Sequence, residues 1–217
     1  NTHAALERPL RAVQILSSKE SVVFFEQVQP WARELAAFAD AAIPKAEAVH
    51  VAALVDRLTA SLLEQHGTAS ISAENQAVLK KLGVHVTVAR ILASVMPTPD
   101  GTVLPWLVPL LKSCYAYLTR HVTDNEPIAV ELVPFVPAVV KHLGVSECGA
   151  IDLMATLLRD NVEVATSIAD ATIQDIAFAI PSSGFHPGVI AILDLLLYQP
   201  KSGNLARNQP AVLKALL

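Results

Sequence analysis

Seven histidines, two cysteines and one adjacent lysine pair are the residues of this 217-residue chain best suited to chemistry. A metal centre on a helix needs two imidazoles four residues apart, so that both reach one ion, with a carboxylate between them to work on bound water. His3, His50, His66, His85, His121, His142 and His186 include no such pair. They read as scattered helix-surface or turn side chains, and neither a metal nor a cofactor is expected. A serine nucleophile needs Gly-x-Ser-x-Gly after a strand. The chain lacks that motif and any phosphate-cradling glycine loop, its eight glycines falling in or near turns. Cys114 lies on an apolar helical face, where burial raises the thiol pKa and leaves the sulfur inert. Cys114 and Cys148 have no metal-like spacing, a disulfide between them stays open, and so few cysteines suit a reduced, intracellular setting. No catalytic residue is assigned, and the chain reads as non-enzymatic.

Lys80, Lys81 and Arg90 are the candidate ligand-binding residues, a set that could meet an anion with another domain supplying the rest. The plainer reading of the lysine pair is the solvated edge of a helix. Trp31 and Trp106 raise the question of a peptide groove, which armadillo proteins line with Trp and Asn one helical turn apart. Neither Trp has an Asn four residues on, so both read as packing. Nucleic acid is excluded as a partner by the charge distribution: residues 1–110 carry nine basic and ten acidic groups, residues 111–217 seven and ten, and no cationic stripe emerges to neutralise phosphates. Mean hydropathy is high, +0.44, but a spanning helix needs about 20 consecutive apolar residues. The best stretch, residues 189–198, carries Asp194 and lies between Pro187 and Pro200. It reads as a buried core helix, and no direct membrane insertion is expected. The chain opens on Asn1 without an initiator Met or a signal-peptide core, which reads as a fragment of a larger protein.

Helices must position all of these groups. Val51, Leu54, Val55, Leu58 and Leu62 recur every three or four residues, as do Leu107, Leu110, Leu111, Cys114, Tyr117 and Leu118, and then Ile151, Met154, Leu157 and Leu158. Val84-His85-Val86-Thr87-Val88 alternates, but it continues into Arg90-Ile91-Leu92 and reads as helix; strand patterning appears nowhere else at comparable length. Thr123 before Glu126 and Asp160 before Glu163 predict capping boxes. Pro127 and Pro210 fit first helical turns, whereas Pro30, Pro134 and Pro137 are expected to kink or split their helices. Residues 66–70, 97–102, 181–184 and 200–204 read as turns.

Asn75, Asn125, Asn161 and Asn208 each separate a leucine-rich helical stretch from a second apolar one, at spacings of 50, 36 and 47 residues. Periods of this size, with two helices per unit, predict an all-α fold, an armadillo-like helical repeat superhelix forming one domain over residues 1–217.

The last hundred residues carry a further pattern. Ser113-Cys114-Tyr115-Ala116-Tyr117-Leu118, then Ala155-Thr156-Leu157-Leu158-Arg159-Asp160-Asn161, then Ile192-Leu193-Asp194-Leu195-Leu196, then Arg207-Asn208-Gln209 with Val212, Leu213, Leu216 and Leu217 together resemble the RIH domain shared by ryanodine and inositol trisphosphate receptors. By helix order the resemblance extends upstream to about Ser21. It implies an armadillo-like superhelix on the cytosolic face of an intracellular Ca²⁺-store membrane such as the endoplasmic reticulum. The module would be a non-catalytic part of a tetrameric release channel, its partners the channel's neighbouring domains and subunits. In receptors that bind inositol trisphosphate, basic residues start the helix matching Glu74 to Leu82, and a Tyr-Arg-Lys cluster occupies the turn matching Thr123 to Pro127. Here Lys80 alone stands in the first place, and Asp124, Asn125 and Glu126 fill the second. Carboxylates repel phosphate, so binding by the family's mode is not expected. The family's terminal cysteine is replaced too, Leu197 and Tyr198 filling its place. The reading from another class is an armadillo-like scaffold of an unrelated soluble protein.

Overall fold

A computed structural model describes residues 19–39, 41–63, 70–98, 101–145, 147–182 and 186–216. His3, His66 and most of the turn expected at 66–70 lie outside them. The α-helices, in chain order, are α1 (Lys19–Ala36), α2 (Lys45–Ser61), α3 (Ala73–Lys81), α4 (Val84–Ser94), α5 (Val108–Val122), α6 (Glu126–Leu132), α7 (Val136–Lys141), α8 (Ala150–Leu158), α9 (Val162–Ser167), α10 (Asp170–Ser182), α11 (Pro187–Leu197) and α12 (Gln209–Leu216). Short 3₁₀ turns at Pro105–Leu107 and Val133–Phe135 precede α5 and α7. The described residues are all-α apart from one isolated bridge, Leu63 to Ile71, and a hairpin of two-residue strands, β1 (Tyr198–Gln199) with β2 (Gly203–Asn204). That hairpin occupies the turn expected at 200–204.

Apolar spacing dictates what each helix buries. Val51, Leu54, Val55, Leu58 and Leu62 on and after α2 are buried, as are Leu110, Leu111, Cys114, Tyr117 and Leu118 on α5. These two stripes face each other, and α5 also packs against α4 and α8. Onward, α8 meets α11, and α10 meets α7, α11 and α12, while α1 covers α2 and α3. The buried side chains form one connected cluster from Phe24 to Val212, with Trp31 and Trp106 packed half-buried on its edge. The segment 84–94 is helical as its second half suggested. By contrast, α11 is not buried all round: Val189, Ile192, Leu193 and Leu196 face the core, but Ile190 is 51% exposed.

Proline acts differently at different sites. Pro134 and Pro137 divide the run from 126 to 141 into α6, a 3₁₀ turn and α7. Pro30, expected to kink or split its helix, leaves α1 unbroken from 19 to 36. Glu26 and Pro30 are both exposed, so the carbonyl deprived of its N–H partner lies on the solvent side. The caps also correct the sequence reading. Asn125 and Asn161, not Thr123 and Asp160, are the N-caps of α6 and α9. The Thr123 hydroxyl instead donates back to the Thr119 carbonyl at 2.8 Å.

Candidate functional site

Two turns of the same shape bring the polar groups together. After α5, Thr123 adopts φ −54°, ψ 124° and Asp124 adopts φ 55°; after α8, Arg159 adopts φ −62°, ψ 121° and Asp160 adopts φ 55°. Asn125 N–H donates to the Val122 carbonyl (2.9 Å) and Asn161 N–H to the Leu158 carbonyl (3.2 Å). Each is a type II turn with Asp where glycine is usual, a position that Asp tolerates because its short side chain bonds locally. Both line one open cleft of about 500 Å³, joined by Thr156 and by Lys201 of the hairpin. Its charges are mixed, Asp124, Glu126 and Asp160 against Arg159 and Lys201. Lys201 Nζ is 3.1 Å from Asp160 Oδ2, and Gln199 Oε1 accepts from Asp160 N–H at 2.7 Å.

Side-chain amides fasten this cleft to the surrounding helices. A helix end leaves carbonyls without intrahelical donors, and here the amides supply them. Gln76 Nε2 of α3 donates toward the carbonyls of Arg120 (3.4 Å), His121 (3.2 Å) and Thr123 (3.0 Å) at the end of α5, and its Oε1 accepts from Asn125 Nδ2 (3.3 Å). Asn75 Nδ2 donates to the Ser61 carbonyl ending α2. Asn208 Nδ2 donates to the Leu196 carbonyl near the end of α11 and to Ala165 in α9. Asn161 Oδ1 accepts from Val164 N–H as an N-cap. Of the four recurring asparagines, Asn75 and Asn208 thus bond the backbone of other helices, Asn125 bonds Gln76 of α3, and Asn161 caps its own helix.

Three histidines that sequence reasoning placed on surfaces or turns lie inside the fold. His85, His121 and His142 are all buried. His121 Nε2–H donates to the Gln76 carbonyl (3.1 Å) and its Nδ1 accepts from the Tyr117 hydroxyl (2.8 Å). His142 repeats the pattern with the Val95 carbonyl (2.6 Å) and the Tyr115 hydroxyl (2.7 Å). These partners fix the neutral Nε2–H tautomer in both rings. Burial pulls His121 down to about 4 and lowers His142, while it pushes Tyr115 and Tyr117 well up. His85 Nε2 donates to Glu131 Oε2 at 2.8 Å, leaves its Nδ1 buried without a partner, and meets His121 edge-on at 5.5 Å between centroids. Burial lowers His85 as well, the Glu131 contact opposing that in part. The signal was legible: His85 is in step with Val88, Ala89 and Leu92, and His121 with Cys114, Tyr117 and Leu118.

The candidate cations are placed as follows. Lys80 Nζ is 2.9 Å from Glu131 Oε1, a contact that holds the Glu131 carboxyl below its ordinary value. Lys81 and Arg90 are exposed. Arg90 stands five residues beyond His85, about 140° around α4 at 100° per residue, away from the side on which Lys80 meets Glu131. Burial raises the thiols of Cys114 and Cys148, both free. Among the described residues no group of three or more His, Cys, Asp and Glu is placed to hold a metal, and no helix is long and apolar enough to cross a membrane. What this arrangement does chemically is lock helix ends to one another. Comparison with known protein families, with curated proteins and with solved structures finds no match to the chain.

Proposed function

We propose that the chain is a non-catalytic regulatory module of RIH type, an armadillo-like helical repeat superhelix within a larger intracellular Ca²⁺-release channel. It passes conformational change through contacts with neighbouring domains and subunits on the cytosolic face of the store membrane. One observation supports this reading: the segments that carry the resemblance fall on helices and helix ends. Ser113 to Leu118 lie within α5, Ala155 to Leu158 end α8, Ile192 to Leu196 lie within α11, and Asn208 immediately precedes α12. The paired turns at 122–125 and 158–161 support a repeat of helix, turn and helix. Modules of this kind work through surfaces and coupled helix ends rather than through a reacting centre.

Inositol trisphosphate is not its ligand by the family's mode. Asp124 and Glu126 stand in the turn where the resemblance would put a basic cluster, and Lys80 is engaged by Glu131. An armadillo-like scaffold in an unrelated soluble protein is the second reading, favoured by Phe178 (71% exposed), Leu213 and Leu216, apolar side chains open to a partner on α10 and α12. Deleting the gene that encodes the chain and recording Ca²⁺ release from permeabilised cells separates the two. Release that collapses while the stores still fill supports the channel module; unchanged release leaves the scaffold.

A further inference from the structure

We infer that His85 and His121 form a two-step acid latch on the junction between α3 and the α5–α6 turn. A first proton, taken by His85 and compensated by Glu131, leaves the junction closed; a second, on His121, opens it. This concerns the packing alone and stands whether or not the channel reading does.

The neutral rings have different capacities for a proton. His85 already faces a carboxylate through Nε2 at 2.8 Å, and its Nδ1 has no partner to lose. A proton there turns a hydrogen bond to a carboxylate into an ion pair. For His121 both nitrogens are in use, Nε2 toward the Gln76 carbonyl and Nδ1 toward the Tyr117 hydroxyl. Protonated Nδ1 becomes a donor facing another donor. Tyr117 is itself fully buried, so its hydroxyl hydrogen would have to turn into apolar surroundings, and an unsatisfied buried polar group is costly. The perpendicular rings are 5.5 Å apart, close enough for one cation to oppose the other, so the pair titrates as a unit in two steps.

The charged and titratable groups facing the pair come from three helices: Lys80 from α3, Tyr117 and the ring of His121 from α5, and Glu131 from α6. Among the described residues, the other helices packed on α4 and α5, namely α1, α2, α7 and α8, contribute no charge that shifts either ring. What the second proton releases is specific. The proton enters at Nδ1 and leaves the Nε2–H bond to the Gln76 carbonyl in place; that bond breaks only when the charged ring, bonded to a carbonyl and a hydroxyl and to no carboxylate, leaves its buried site for water. Gln76 also gives its side-chain amide to the last carbonyls of α5 and to Thr123, so departure of the ring loosens the same residue that holds the turn of Asp124 and Asn125.

The test is an imidazole ¹H–¹⁵N titration of the 217-residue chain from pH 7.5 to 4, paired with amide exchange corrected for the intrinsic effect of pH. The expected result is that His85 gains its proton while His121 stays neutral and amides 120–125 stay protected. At lower pH, His121 protonates and protection there falls at least tenfold before that of α11 changes. In E131Q, a substitution at a half-exposed position, His85 loses its early step and stays neutral until the junction opens. The latch is overturned if His121 protonates with or before His85, if amides 120–125 lose protection together with α11, or if His85 titrates as early in E131Q as in the parent.

Discussion

Gln76 shows how one buried amide organises a helix junction. Its side chain serves carbonyls from three residues of one helix end and accepts from Asn125, so Gln76→Leu would leave several buried polar groups without partners. Each group stranded in this way costs about 1–3 kcal/mol. The expected outcome is a loss of about 2–3 kcal/mol in urea denaturation, with amides of residues 120–125 exchanging faster; a loss below about 0.5 kcal/mol would mean water replaces the amide. Gly149 is a second point of strict fit. It has φ +97°, and a Cβ added there would lie 2.9 Å from Tyr115 Cβ. Gly149→Ala therefore strains the backbone and crowds the tyrosine that bonds His142, and a loss of about 2 kcal/mol is expected. At this scale the sequence was only half legible. Asn75, Asn125, Asn161 and Asn208 could be seen to recur, and inert Cys114 could be read from its apolar face. The three buried histidines were missed because residue type was weighed above periodicity, although their spacing from neighbouring apolar residues placed them inward.

The twin turns are the units that repeat among the elements. Asp124 and Asp160 share φ 55°, a region closed to β-branched residues and free to glycine. Asp124→Val should destabilise by about 1–2 kcal/mol, while Asp124→Gly should change stability by less than about 1 kcal/mol, the relief of strain being offset by the added freedom of the unfolded chain. Equal losses for both substitutions, measured by thermal unfolding, would point to the carboxylate rather than the backbone as the feature that matters. Helix existence and order were legible from the 3.6-residue period, and so was the break at Pro134 and Pro137. Helix starts were not: a capping-box pattern at Thr123 and Asp160 gave the wrong N-caps, because the type II turns carry the helix start two residues on to Asn125 and one residue on to Asn161. The hairpin at 198–204 was read only as a turn, since two residues per strand carry no alternation to read.

For the whole molecule, buried neutral imidazoles make stability depend on pH. His121 titrates near 4 when folded against 6.5 unfolded, so above pH 6.5 neither state binds a proton and the full contribution is present. As pH falls from 6.5 to 4 the unfolded chain takes up a proton that the folded chain refuses, and stability drops. The loss is on the order of 3 kcal/mol from this ring, with His85 and His142, both lowered by burial, acting in the same direction. Urea midpoints recorded at pH 7.5, 6, 5 and 4.5 should fall steadily; a flat series would contradict the buried neutral assignment. How α2 meets α5, or α8 meets α11, was not legible in the sequence, because period tells which face is buried and not which helix covers it.

The channel reading is tested most directly by the native state of the protein that carries the chain. An antibody raised against residues 1–217 should follow an intracellular organelle membrane fraction on cell fractionation, and detergent extraction of that fraction should release a particle containing four copies, counted by sedimentation with mass photometry. Recovery of the antigen as a monomer in the soluble fraction, with none in organelle membranes, would contradict the account and return the chain to the class of helical scaffolds.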